Sequence, residues 1–183
     1  MMRFLVGDPE VVAIEAELEE PIDPGRWFGH FRLVVQGEGI GDWDDLAMVR
    51  GIVAWWESFV AEPVERWEHR LDGLSPEEAF DVVYDDVFGD DADVTLGAFG
   101  RYHINRLGMS AFDEVTLILF EPPGDEQWLL WRVQRGDPET WVVRHAVLPR
   151  GALQKVGAEF VAAVSDAVRS TGIPTDGTEP RSE

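Results

Sequence analysis

Residues 11–19 alternate: Val12, Ile14, Ala16 and Leu18 fall on one face of an extended chain, and Ala13, Glu15, Glu17 and Glu19 on the other. That period of two is the pattern of a strand buried on one side. Glu20-Pro21-Ile22-Asp23-Pro24-Gly25 then forces a turn, because proline fixes φ and glycine admits positive φ. The chain returns from Trp27 to Gln36 with Trp27, Phe31, Leu33 and Val35 inward and His30 and Arg32 outward. The result is a β-hairpin with an acidic outer face, bracketed by Gly7-Asp8 and Gly41-Asp42. Opposite charges across antiparallel strands stabilise each other, so His30 and Arg32 are expected near Glu15 and Glu17.

The pattern then changes period. Asp42-Trp43-Asp44-Asp45 reads as an N-cap with an acidic first turn. Leu46, Val49, Val53, Trp56 and Val60 recur at helical spacing, with Ile52 and Phe59 widening the stripe. Pro63 interrupts this helix, and Val64, Trp67 and Leu71 continue it beyond a kink. Ser75-Pro76-Glu77-Glu78 is a capping box with proline at the first helical position, opening a second helix that stops at Gly89. Asp90 to Asp93 is a loop. Phe99 to Ile104 reads as a strand, as do Val115 to Glu121, Gln127 to Arg135 and Thr140 to Leu148. A last helix carries Leu153, Val156, Phe160, Val161, Val164 and Val168 on one stripe. Hairpins and segregated helices without a βαβ rhythm predict an α+β fold, with an antiparallel sheet and helices mainly on one face. At 183 residues the chain suits a single domain over 1–172, leaving 173–183 as a flexible tail.

Charge narrows the partner. The chain carries 36 acids against 15 bases, a formal charge of −21. Residues 1–100 hold 24 acids and 6 bases (−18), and residues 101–183 hold 12 and 9 (−3). No base lies between Arg70 and Arg101, a stretch that contains Asp85, Asp86, Asp90, Asp91 and Asp93. Such a field repels phosphate, which argues against nucleic acid or an anionic membrane and favours a basic protein partner. A solvated face serving only solubility is the competing reading. There is no cysteine, so thiol chemistry is excluded. The apolar run before Gly7-Asp8, Phe4 to Val6, is three residues, against roughly 7–15 in a secretory signal and about 20 in a membrane helix. A soluble, cytoplasmic protein is expected. Fourteen Arg against one Lys and one Asn match the codon bias of a GC-rich bacterial genome.

Catalytic and metal patterns are weak. Gly37-Glu38-Gly39-Ile40-Gly41 departs from phosphate-loop spacing and reads as a glycine-rich turn from strand to helix. The aspartates from Asp85 to Asp93 lack the EF-hand glycine and its closing glutamate. His30, His69, His103 and His145 have no ligand spacing, and no serine lies in a Gly-x-Ser-x-Gly elbow. No enzyme activity, cofactor or metal is expected. Trp55 and Trp56 are neighbours on a helix and point about 100° apart; both belong to a wide apolar face, or one anchors a partner.

Gly7-Asp8-Pro9 followed by Val12-Ala13-Ile14-Glu15, then Trp27-Phe28-Gly29 with Phe31, Gly37-Glu38, Ile40-Gly41-Asp42 and Ser75-Pro76-Glu77-Glu78-Ala79-Phe80, resemble the immunity protein 42 family of bacterial polymorphic toxin systems. The resemblance is best over the first ninety residues. It implies a small α+β protein encoded beside a toxin, which it binds and neutralises, and it carries no catalytic role. Joined to the charge distribution, it points to a toxin-binding face of Asp42, Asp44, Asp45, Asp85, Asp86, Asp90, Asp91 and Asp93, with Trp43 or Trp55 at its centre. The alternative is a small acidic binding or regulatory module with another partner.

Overall fold

In the computed structural model, which describes residues 1–20, 27–61, 64–89, 100–104 and 110–170, the alternating stretch is β2 (Val12–Leu18). It pairs antiparallel with β3 (Phe28–Val35), placing Glu15 opposite Arg32 and Glu17 opposite His30, as the charge pattern requires. Arg32 Nη2 lies 2.6 Å from Glu15, and Arg3 lies 3.4 Å from Glu17. The outer face of the hairpin is therefore largely charge-balanced rather than a bare acidic surface.

Arg3 belongs to a strand that the alternation at 11–19 did not reveal. β1 (Met2–Asp8) pairs with β2 from Met2 opposite Leu18 to Asp8 opposite Val12. Met2, Phe4 and Val6 point to the core while Arg3 and Leu5 face out. Gly7 has φ +95°, and a Cβ there would stand 2.6 Å from both the Val12 carbonyl oxygen and Val156. Only glycine meets both demands.

Gly37 to Gly41 is more than a turn, since β4 (Glu38–Ile40) pairs with Leu33–Val35. β5 (Ala47–Met48) pairs with the other end of β3, so the first sheet runs β1-β2-β3-β4 with β5 also on β3. The first helix, α1 (Val49–Ala61), thus starts later than the acidic corner suggested. Ala47 is needed as a strand residue beside Gly29, which delays the helix, and Leu46 and Val60 are left exposed instead of joining its buried stripe. Pro63 lies outside the described residues. The chain beyond it has no regular secondary structure from Val64 to Glu68 and makes a 3-10 turn at His69–Leu71, which corrects the expected continuation of the helix. Leu71 is buried, and the Trp67 indole N–H donates to Asp72 at 2.9 Å, a local bond that suits a turn.

α2 (Pro76–Phe88) begins with the expected capping box: Ser75 Oγ accepts from the Glu78 N–H, and Glu78 accepts from the Ser75 N–H. Of the strand read at Phe99–Ile104, the described part is a 3-10 turn, Gly100–Tyr102, followed by a single bridge from His103 to Ile118. The fully buried Tyr102 accounts for the apolar signal there. β6 (Val115–Phe120), β7 (Glu126–Val133) and β8 (Val143–Pro149) form a second antiparallel sheet, and α3 (Ala152–Ser170) closes the described chain.

The fold is α+β with antiparallel sheets built from hairpins. The inner faces of both sheets share one core with α1 and α3, which joins Ile14, Phe31 and Leu33 to Trp56, Leu117, Leu129 and Phe160. α2 covers the outer face of the second sheet through Phe80 and Val83 against Ile118, Phe120 and Leu130. That explains why all six residues of β6 are buried, and why Val115 to Phe120 is apolar at every position but Thr116 instead of alternating.

Candidate functional site

The acidic corner is shaped by Gly41, whose φ is +111° and whose missing side chain leaves room for Phe112; a Cβ would come within 3.0 Å of that ring. Phe112 belongs to the segment entering the second sheet, and the Asp42 N–H donates to the Ala111 carbonyl there at 2.7 Å. Asp42 Oδ1 accepts from the Asp44 N–H and Asp45 Oδ1 from the Leu46 N–H, so two of the three aspartates brace the turn itself. Across from them, Arg135 Nη2 lies 2.5 Å from Asp42 Oδ2, and Arg135 Nε donates to Glu114. A second ion pair, Arg144 with Glu38, joins the two sheets close by, and Arg144 is the register partner of Trp131. Between the sheets at this end is a cleft of about 410 Å³ whose walls include Asp42, Asp45, Asp113, Glu114, Trp131 and Arg135.

Asp42 is electrostatically tuned. The hydrogen bond from Arg135, reinforced by the Asp44 backbone N–H, holds its carboxyl below the usual 3.8. With the folded value below the unfolded one, the pair's contribution is complete above pH 3.8 and disappears as the pH falls through the lowered value. Arg135→Gln should return the Asp42 titration, followed by carboxyl carbon NMR, toward 3.8, with the Asp44 bond retaining part of the depression. An Asp42 titration that does not move would remove Arg135 as its principal partner.

Trp43 points the other way. Its ring stacks on His30 with centroids 5.7 Å apart, and the Arg32 guanidinium lies 4.9 Å above it, on the outer face of the first sheet. Trp55 lies on α1, half-buried, stacked 5.0 Å from Phe59 and edge-on to Trp56. Neither indole stands in the cleft wall. Asp85 is exposed and Asp86 half-buried on the C-terminal half of α2. Asp90, Asp91 and Asp93 lie outside the described residues. α2 and the acidic corner meet the same end of the second sheet. Tyr84 accepts from the Gln134 side chain at 3.2 Å, and Gln134 is the neighbour of the Arg135 that reaches Asp42. The cleft also includes Asp113, Glu114, Trp131 and Arg135, which sequence reasoning missed. The alternation Trp131, Val133, Arg135 hinted at an inward face that runs out of the core, but the opposing wall comes from residues ninety positions earlier.

Among the described residues no three His, Asp or Glu gather as a metal site, and no helix is long and apolar enough to cross a membrane. The sequence profile described as Immunity protein 42 matches residues 1–163. The chain belongs to the immunity protein 42 family. Membership gives it an immunity role, the neutralising of a toxin. Among solved structures, CdiI from Burkholderia dolosa AUO158 is similar in fold, with a TM-score of 0.68 at 19% identity, covering 87% of this chain and 99% of that one. No curated protein matches.

Proposed function

We propose that this immunity protein 42 member binds the toxin domain encoded beside it and blocks it through its acidic surface. The observation that carries the reading is the family match over residues 1–163. The formal charge of −21, concentrated in the first hundred residues, supports it independently. Its complement is a basic cleft such as a nucleic-acid-cleaving domain presents, and complementary fields speed encounter and exclude wrong partners. Asp42, Asp44, Asp45, Asp85 and Asp86, with Asp90, Asp91 and Asp93, supply the charge, and Trp43 or Trp55 supplies an aromatic anchor. Occlusion of this kind requires no catalysis, cofactor or metal from the chain, and it takes place in the bacterial cytoplasm, where the toxin would act.

The test is co-expression with the variable C-terminal domain of a large secreted protein encoded directly upstream. Growth should be restored, and the two proteins should co-purify. A toxin domain that kills equally with and without this chain, and that does not bind it, overturns the reading.

A further inference from the structure

We propose that β1 is the seam of a homodimer: its outer edge pairs antiparallel with β1 of a second copy, about a two-fold axis at Leu5, and joins the first sheets of the two copies into one. The inference goes beyond the toxin-binding reading and does not depend on it.

β1 is the terminal strand of the first sheet, and among the described residues only β2 pairs with it. Alternate residues of such a strand turn their N–H and C=O groups outward, where another strand can meet them. The other sheet edges are protected. β4 has three residues and β5 two. β6 is met by the bridge from His103 and by the Ile104 N–H, which donates to the Leu117 carbonyl at 3.0 Å. β8 carries Arg144 and His145, tied to Glu38 and Glu77, and ends in Pro149. Short length, charge and proline all discourage edge pairing. β1 is seven residues long and has no proline. Its Arg3 is drawn back over the sheet, 3.6 Å from Glu15 and 3.4 Å from Glu17.

The core also runs off this edge. Ile14, Ala16 and Leu18 on β2 are at most 1% exposed, whereas their register partners Val6, Phe4 and Met2 on β1 are only half-buried. Leu5, on the opposite face, is 58% exposed. Antiparallel pairing about Leu5 covers the middle of the strand. Phe4 of each copy meets Val6 of the other on the core face, and Leu5 meets Leu5 on the outer face. Arg3 falls opposite Gly7, so no like charges are opposed. The strand is its own complement, as an isologous contact requires.

Charge selects a second copy over a basic toxin segment. Beside β1 the outer face sets Arg3 and Arg32 against Glu15 and Glu17. That balance offers a cation nothing, and it lets two copies of a chain of charge −21 approach there. β1 and β4 lie at opposite ends of the strand order, so the Asp42 corner that follows β4 stays open in each copy.

Sedimentation equilibrium of the purified chain should show a monomer–dimer equilibrium. An edge contact is at the small end of protein interfaces, below about 1,200 Å², so dissociation in the micromolar range is expected. Salt raised from about 0.05 to 0.5 M should tighten the dimer about threefold or more, because it screens the repulsion between two acidic chains. L5K and L5E should each weaken it about tenfold or more by setting like charges opposite one another, and an equimolar mixture of the two should regain the loss. Circular dichroism melts confirm that both variants are folded. A wild-type chain that stays monomeric at millimolar concentration, a dimer that salt loosens, or variants that associate as wild type does overturns the seam. A monomeric wild type whose binding to the neighbouring toxin domain is lost in L5K also overturns it, and gives the edge to a strand of the toxin. The dimer is read without toxin present, so failure of the immunity reading does not bear on it.

Discussion

Trp56→Ala is expected to destabilise the protein by about 3–5 kcal/mol, the range for deleting a large buried aromatic. Trp56 is fully buried, edge-on to Trp55 at 4.9 Å and to Phe59 at 5.5 Å, and it belongs to the core shared by both sheets. On the facing helix α3, Gly157 lies directly against its six-membered ring; a Cβ at that position would clash with Cε3 and stand 2.7 Å from Cζ3. This contact reverses an ordinary rule. Replacing glycine by alanine inside a helix normally gains about 1 kcal/mol, but here overpacking costs about 1–3 kcal/mol, so Gly157→Ala should destabilise. Trp56→Leu should relieve the clash, making the double variant less unstable than the two single effects add up to. Trp56→Phe should cost less than Trp56→Ala, since it keeps a ring and removes an indole N–H that is buried without a partner. Urea denaturation midpoints at unchanged slope measure all five variants. A Gly157→Ala protein as stable as wild type would show that α1 and α3 are not held this closely.

The second large effect concerns binding. Replacing Asp85, Asp86, Asp90 and Asp91 by Lys changes the formal charge from −21 to −13 and reverses the proposed toxin-facing field. Close charge pairs across an interface couple by about 1.5–7 kcal/mol, so affinity should fall beyond about 1,000-fold and protection of co-expressing cells should be lost. Asp85 is exposed on α2, away from Phe80 and Val83, whereas Asp86 is half-buried, so the melting temperature is measured alongside, and a variant that keeps Asp86 separates lost binding from lost folding. The wild-type association rate should also fall steeply with added salt, the Debye length being about 10 Å at 0.1 M. Full protection by the four-lysine variant would leave these acids with a solubility role alone.

These two expectations differ in how far they could be read from the chain. The buried stripe of α1, the capping box at Ser75 and the facing of His30 and Arg32 toward Glu17 and Glu15 are local consequences of period, cap chemistry and charge. β1 escaped notice because its apolar run is short and its partner is the strand that follows it. The corner at Asp42 read as a helix start because aspartates brace turns and cap helices by the same bond, a side-chain oxygen accepting a backbone N–H two or three residues on. Pairing of Ala47 with Gly29, which lies in another element, decided between them.

By itself the amino-acid sequence determined the α+β class, the central hairpin and its register, two of the three helix starts and the acidic imbalance that narrows the choice of partner. These follow from periodicity, turn residues and summed charge, all of which are local or additive. Tertiary structure alone decided that the strands divide into two sheets with a cleft between them, and that Asp42 is held by Arg135 from ninety-three residues away. It also turned Trp43 onto the outer face of the first sheet, under Arg32, and set Trp131 in the cleft wall. The order of residues along a chain carries no direct record of which distant surfaces will face each other. That is set by how the shared core of both sheets packs around Trp56 and Phe160.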